Sequence, residues 1–241
     1  MTFSILAHDE KSGAFMGAAA TGSLCVGGWV LRGDIDSGLV ASQGTAPSTF
    51  WRDEALRRLN AGQGASEAVL DLTGADSGRG HRQLAAIDRQ GSTGAFTGAA
   101  SVEYAGHHAE PGLVVSGNML AGAEVLDALL EVARTSVEDP AARMITALRA
   151  AEAAGSDVRG LRSAALLVLH PDFPPLDLRI DQAADPVGAL ATLLGEVRMP
   201  PYADWLDVVP VQRDRFRAPE EQPKVEPLEE PPVDPHHRAI R

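Results

Sequence analysis

Thr2, directly behind the initiator methionine, offers the most specific chemistry in this sequence. Aminopeptidases generally remove Met1 when the second residue is as small as threonine. The product would carry a hydroxyl and a free α-amine on one residue. These are a nucleophile and a general base, an established pairing for an activated threonine. Met-Thr also begins many chains that do no chemistry, so the rest of the chain must supply a site. Four polar spots stand at the ends of apolar runs. Thr21 and Ser23 end one run, and Ser42-Gln43 end another. Ser116-Gly117-Asn118 stand ahead of a helix, where backbone N–H groups and the Asn118 amide would suit an oxyanion. Asp157-Val158-Arg159-Gly160-Leu161-Arg162-Ser163 joins a helix to an apolar run. Each has a plainer reading: hairpin hydrogen bonding for Thr21 and Ser23, helix capping for Asn118, a loop ion pair for Asp157 and Arg159.

Other chemistries find little support. Cys25 is the single cysteine, which excludes an internal disulfide framework and a cysteine-rich metal site. Its apolar setting, Leu24-Cys25-Val26, suggests a buried structural thiol. No zinc or calcium spacing occurs, and His107-His108, being adjacent, would point to opposite faces of a strand. Gly-x-Ser-x-Gly, the phosphate-binding Gly-Lys-Ser/Thr and Gly-x-Gly-x-x-Gly are missing. Neither a metal nor an organic cofactor is expected. A net charge of −12 argues against nucleic acid and anionic membrane as partners. No run has the length of a membrane span, and no basic leader precedes an apolar run. Cytoplasm is the expected compartment.

Among 241 residues, 44% are hydrophobic, 22% charged and only 5% aromatic. Small-residue packing is therefore expected over aromatic clusters. Strands are expected over Thr2 to His8 and Ala14 to Ala20, joined by the Asp9–Gly13 turn. Both runs are nearly all apolar, as in strands covered on two faces. Gly27-Gly28 marks a bend, and Gly38 to Gly44 a further buried strand. Helices follow over Pro47 to Asn60, with Gly62 at C′, and from an N-cap at Ser66 with Val69, Leu70 and Leu72 inside. Gln83 to Asp88 and Thr93 to Thr97 form a hairpin, and Leu113-Val114-Val115 a short strand. Two helices, Ala123 to Arg134 and Asp139-Pro140 to Gly155, are joined by a short loop and should be antiparallel neighbours. Ser163 to Leu169 and Leu176 to Asp181 are strands, and Asp185-Pro186 caps a last helix. This order predicts an α+β fold, a four-layer α-β-β-α sandwich over residues 1–198. An extended arm over 199–217 is a candidate subunit contact, making a homodimer plausible. The Pro- and Glu-rich tail over 218–241, with a solvated His236-His237, reads as disordered.

The motifs together resemble a bacterial and archaeal family, domain of unknown function 1028, of the Ntn-hydrolase-like superfamily. The matching pieces are Met1-Thr-Phe-Ser-Ile5, Ala41-Ser-Gln43, Arg82-Gln83 with Asp88, Ala95-Phe-Thr-Gly98, Ala105-Gly-His107, Gly117-Asn-Met-Leu-Ala-Gly122, Ser156-Asp-Val-Arg-Gly160 and Ser163-Ala-Ala-Leu-Leu167. They follow one another in the expected order, and the resemblance covers roughly residues 1–195. The superfamily has the same four-layer fold, and its enzymes, proteasome subunits among them, cleave amides with an N-terminal Thr, Ser or Cys. The resemblance implies Thr2 as nucleophile and its amine as base. Proteasome-like enzymes place an aspartate at the end of the second strand and a lysine on a later one. Here the strand end is Thr21-Gly22-Ser23, and the only lysines are Lys11 and Lys224.

The resulting expectation is an amidohydrolase acting on a small molecule or short peptide. Asn118 and backbone N–H groups would hold the oxyanion. Asp157, Arg159 and Ser163 would orient the amine, with Arg159 in place of the missing lysine charge. Thr21, Ser23, Gln43 and His107 would bind substrate. The competing expectation is a non-catalytic relative that binds a small metabolite in the same cleft or serves as an assembly subunit.

Overall fold

The computed structural model describes residues 2–135 and 139–219. From residue 220 onward the expected tail, including Lys224 and His236-His237, lies outside the described residues, as does Met1. The chain is α+β, with two antiparallel sheets.

The first hairpin forms as its turn chemistry requires. β1 (Thr2–Asp9) pairs with β2 (Ala14–Thr21), and Asp9 accepts from the backbone N–H of Lys11 and Ser12 in the turn. Gly13 takes φ +73°, open to glycine without cost. These strands centre a six-stranded sheet. On one side lie β9 (Ser163–His170) and β10 (Phe173–Ile180), on the other β8 (Leu113–Asn118) and β7 (Gly106–Glu110). A second, four-stranded sheet runs β3 (Leu31–Asp34), β4 (Gly38–Gly44), β5 (Arg82–Asp88), β6 (Thr93–Thr97).

Three apolar clusters join these sheets to the helices. In the first, Phe3 and Ile5 of β1 and Ala18 of β2 pack beneath α4 (Glu124–Ala133), α5 (Pro140–Ala153) and α6 (Pro186–Glu196). In the second, Leu6, Phe15 and Leu167 meet Leu39, Ala85 and Ile87 between the sheets. In the third, Val40, Leu84 and Ala86 on the far face of the smaller sheet pack on Trp51, Leu59 and Val69 of α2 (Thr49–Asn60) and α3 (Ala65–Gly74). Strands that serve two clusters have no solvent face, which is why they read as continuous apolar runs.

Local differences from expectation have local causes. Ser48 caps α2 by accepting from Trp51 N at 3.2 Å, so Pro47 precedes the helix. The N-cap of α3 falls at Gly64, two residues ahead of the expected Ser66, and Asp88 Oδ2, accepting from Ala65 N at 3.1 Å, takes over the capping. Leu70 is turned outward, exposed. Gly27-Gly28 lie inside a one-turn helix, α1 (Val26–Trp29), and not in a bend. Cys25, at the N-cap of α1 with φ +61°, is exposed and is not the buried thiol expected. The segment after α6 contains α7 (Tyr202–Leu206) and a bridge between Val211 and Asp214. No helix among the described residues is long and apolar enough to cross a membrane.

Candidate active site

Strand alternation decides which residues face the space between the sheets. Leu6 lies there, so Ser4 and Thr2 lie on the same inner face of β1. By the same count the inner faces of the neighbouring strands end in Thr21 (β2), Gln43 (β4), Gln83 (β5), Asn118 (β8) and Ser163 (β9). Register brings these ends together: Thr2 opposite Asn118, Thr21 opposite Ser163, and Gln43 opposite Gln83. The apolar inter-sheet core thus closes at one end in a tier of polar side chains.

A pocket of about 460 Å³ opens above this tier, lined by Thr2, Thr21, Ser23, Gln43 and Arg159 among the expected site residues. Leu24, Val26, Trp29, Val30, Pro47 and Met119 form its apolar wall, with Gly44 and Thr45 beside them. Thr2 is 7% exposed. Its Oγ1 donates to Thr21 Oγ1 at 3.2 Å, and Ser23 N also donates to Thr21 Oγ1, at 3.3 Å. Gln43 Nε2 donates to the Thr2 carbonyl at 3.3 Å.

Beneath Thr2, one residue holds both sheets. Gln83 is fully buried. Its Oε1 accepts from Gln43 Nε2 at 3.1 Å and from Asn118 Nδ2 at 2.8 Å. Its Nε2 lies 2.7 Å from Gly117 O, 3.1 Å from Gly106 O and 3.0 Å from Thr97 Oγ1. The first two acceptors belong to the larger sheet and the third to the smaller. Gln83 was not singled out from the sequence as a site residue. The available signal was an amide where an inner-facing apolar residue would otherwise stand.

Asn118 does not line the pocket, because β8 turns its amide inward to Gln83. It also stands in a strand, well ahead of α4, so the helix N-terminus invoked for it is elsewhere. Ser163 is likewise fully buried. Its hydroxyl donates to Ser23 O at 2.9 Å and accepts from Val26 N at 3.1 Å, which ties β9 to the loop carrying the pocket wall. His107, on exposed edge strand β7, lies off the pocket lining. It reaches Gln83 only through Thr97, whose Oγ1 is 2.8 Å from its Nδ1. Desolvation, then the neighbouring His108, holds its imidazole below the usual histidine value.

The end of β2, which carries no carboxylate of its own, receives one from Asp157. Asp157 Oδ2 accepts from Gly22 N at 2.6 Å. A Cβ on Gly22 would sit 2.6 Å from that same oxygen, so only glycine admits the approach. Arg159 closes the arrangement: its Nε is 3.3 Å from Asp157 Oδ1 and its Nη2 is 3.2 Å from Oδ2. Lys11 is exposed in the β1–β2 turn, at the far end of β1 from Thr2.

The pocket's apolar side is fixed by a buried arginine. Arg52 of α2 donates through Nη1 to the carbonyls of Gly28 at 2.7 Å and Trp29 at 2.9 Å, satisfying the C-terminal end of α1. No group of metal-ligating residues occurs among the described residues.

The family model described as "Family of unknown function (DUF1028)" matches residues 2–190. The crystal structure of protein SPO2555 from Silicibacter pomeroyi, assigned to the same family model, is 50% identical in sequence, with a TM-score of 0.86 over 90% of this chain and 98% of that one. No curated protein matches the chain.

Proposed function

For this chain, which belongs to the DUF1028 family, we propose an N-terminal-nucleophile hydrolase of the Ntn-hydrolase-like superfamily, cleaving the amide bond of a small molecule or short peptide. The observation that carries the proposal is the position of Thr2: its side chain ends the inner face of β1 and lines the pocket.

With Met1 removed, Thr2 Oγ1 attacks the substrate carbonyl and the α-amine of Thr2 takes the hydroxyl proton. The tetrahedral intermediate collapses as that proton passes to the departing amine. An ester on Thr2 remains. Water, deprotonated by the same amine, attacks the ester, and the proton returns to Oγ1 as the acid leaves. Backbone N–H groups of the Gly44-Thr45 stretch at the pocket wall would hold the oxyanion. Asn118, the ladder partner of Thr2, acts as a positioning residue together with Gln83 and Gln43. Thr21 aligns the Thr2 hydroxyl. Arg159 supplies a fixed positive charge on the pocket wall, which favours the neutral, basic form of a nearby amine. Ser163 and Asp157 hold the loops that carry Ser23 and Arg159.

A second reading has one observation in its favour: no lysine lines the pocket among the described residues. In that reading the chain binds a metabolite without cleaving it. A β-lactone probe separates the two. The hydrolase reading expects one covalent adduct, mapped to Thr2 and lost in Thr2→Ala. A wild-type protein that folds and takes up no label under conditions that acylate other N-terminal threonines would leave only the binding reading.

A further inference from the structure

We infer that the ligand of this pocket carries a free carboxylate, bound by Arg159, with an apolar group laid against the α1 side. The inference deepens the hydrolase reading by naming its substrate class, N-acyl amino acids or peptides engaged by their C-terminal carboxylate. The recognition itself requires only that a ligand occupy the pocket.

Arg159 is the only ionised side chain among the described residues lining the pocket. Its partner and its pocket face are sharply different in exposure: the Asp157 side chain is 0% exposed and that of Arg159 is 44%. The carboxylate is thus sunk behind the guanidinium. Asp157 is also saturated, accepting from Gly22 N at 2.6 Å and Arg159 N at 2.8 Å besides the guanidinium. Its charge is thus spread over two backbone N–H groups as well as the guanidinium. On the guanidinium, Nε and Nη2 are spent on Asp157, with Ser23 Oγ a further 3.4 Å from Nη2. Among the described residues, Nη1 has no hydrogen-bond partner. A cation held on one edge by a buried carboxylate, with donors left over and its residue lining a pocket, is pre-organised for an anion.

The rest of the lining narrows the anion. Among the described residues the lining holds no second cationic side chain to balance a phosphate dianion, and the chain as a whole is at −12. A guanidinium whose charge is already shared with Asp157 suits a monoanion better than a dianion, and its planar geometry matches a carboxylate. Leu24 and Trp29, in the same lining, stand exposed at 44% and 53%, large apolar side chains that gain by being covered. A pocket of about 460 Å³ lies in the range that takes small ligands.

The test measures binding and not turnover. The full chain is titrated by calorimetry with N-acetyl-L-leucine and N-acetyl-L-phenylalanine, with their carboxamides, and with phenyl phosphate. The acids should bind about tenfold or more tightly than their carboxamides, as a charge-assisted hydrogen bond would give. Added salt should weaken the acids and leave the carboxamides unchanged, a readout that needs no variant. In Arg159→Gln the discrimination should vanish while carboxamide affinity persists, and Arg159→Lys should retain part of it. Equal binding of acids and carboxamides, no response to any acid, tighter binding of phenyl phosphate, or discrimination that survives in a folded Arg159→Gln would each overturn the inference. In the wild-type protein the two readings fail separately: labelling of Thr2 without any acid preference would overturn this inference alone, and an acid preference without labelling would overturn the hydrolase reading alone.

Discussion

At the scale of single residues, the proposal gives Thr2 two duties that substitution can separate. Thr2→Ser keeps hydroxyl and amine and should retain measurable turnover on any amide the protein cleaves. Thr2→Ala keeps only the amine and should lose at least about a hundredfold, since no other group replaces the nucleophile. A folded Thr2→Ala protein with undiminished turnover would discard the mechanism. Gln83 makes a different prediction. Replacing it by alanine leaves the Asn118 and Gln43 amide donors and the Gly117 carbonyl without their buried partner. The expected cost is about 1–3 kcal/mol of stability, read by urea denaturation. A Gln83→Ala protein as stable as wild type would show that water replaces the amide. Thr2 was legible from its place behind Met1, and Thr21 and Gln43 from polar ends on apolar runs. Gln83 was not, because a single buried amide in a strand looks like any edge residue until its sheet-to-sheet neighbours are known.

At the scale of elements, close approach and capping carry the predictions. Gly22→Ala puts a methyl against the Asp157 carboxylate. It should destabilise by about 1–3 kcal/mol as overpacking does and disturb Arg159 more than Thr2, detectable as weakened acid binding with β-lactone labelling slowed but still at Thr2. Labelling lost along with acid binding would mean that the two halves of the pocket are not separable. Asp139 caps α5 by accepting from Ala142 N at 3.1 Å, and Arg198 Nη2 donates to it at 2.8 Å. Arg198, foremost, keeps this carboxyl below the usual carboxylate range. A lowered folded pKa means that its stabilisation is complete above the unfolded value, near pH 4, and fades as pH falls through the folded one. Asp139→Ala should therefore be less stable than wild type by about 1 kcal/mol at pH 7, with the gap closing in acid. A gap that stays constant from pH 7 to below pH 3 would contradict the assignment. The long apolar strands and the Asp-Pro helix starts could be read directly from sequence. β3 could not, since only Leu31 of its four residues is buried, nor could β7, an exposed edge with no alternation. α1 was hidden because Gly27-Gly28 signals a bend; Gly27 is kept small by Arg179 and Ala165, within 3 Å of where a Cβ would lie.

At the scale of the whole molecule, each sheet packs one face on its own helices, and the second cluster joins the opposite faces of the same strands. Unfolding should accordingly be a single transition. With the exposed Trp29 and Trp205 replaced by phenylalanine, Trp51 in the third cluster reports the smaller sheet by fluorescence, and far-UV circular dichroism reports all elements. Coincident denaturation midpoints are expected; separated midpoints would mean that α2, α3 and their sheet unfold on their own. The α+β class was legible because doubly buried strands have a distinctive composition. The pocket was not, because its lining comes from β1, β2, β4, α1 and the loops after β8 and α5, segments that only the register brings together. The claim on which the site depends is that Thr2 begins the mature chain with its amine free. Intact-mass analysis of the purified protein, with sequencing of the N-terminal peptide, tests it most directly. The account predicts a population lighter by the methionine residue and starting at an unmodified Thr2. Retention of Met1 in every molecule, or a blocked Thr2 amine, would contradict it.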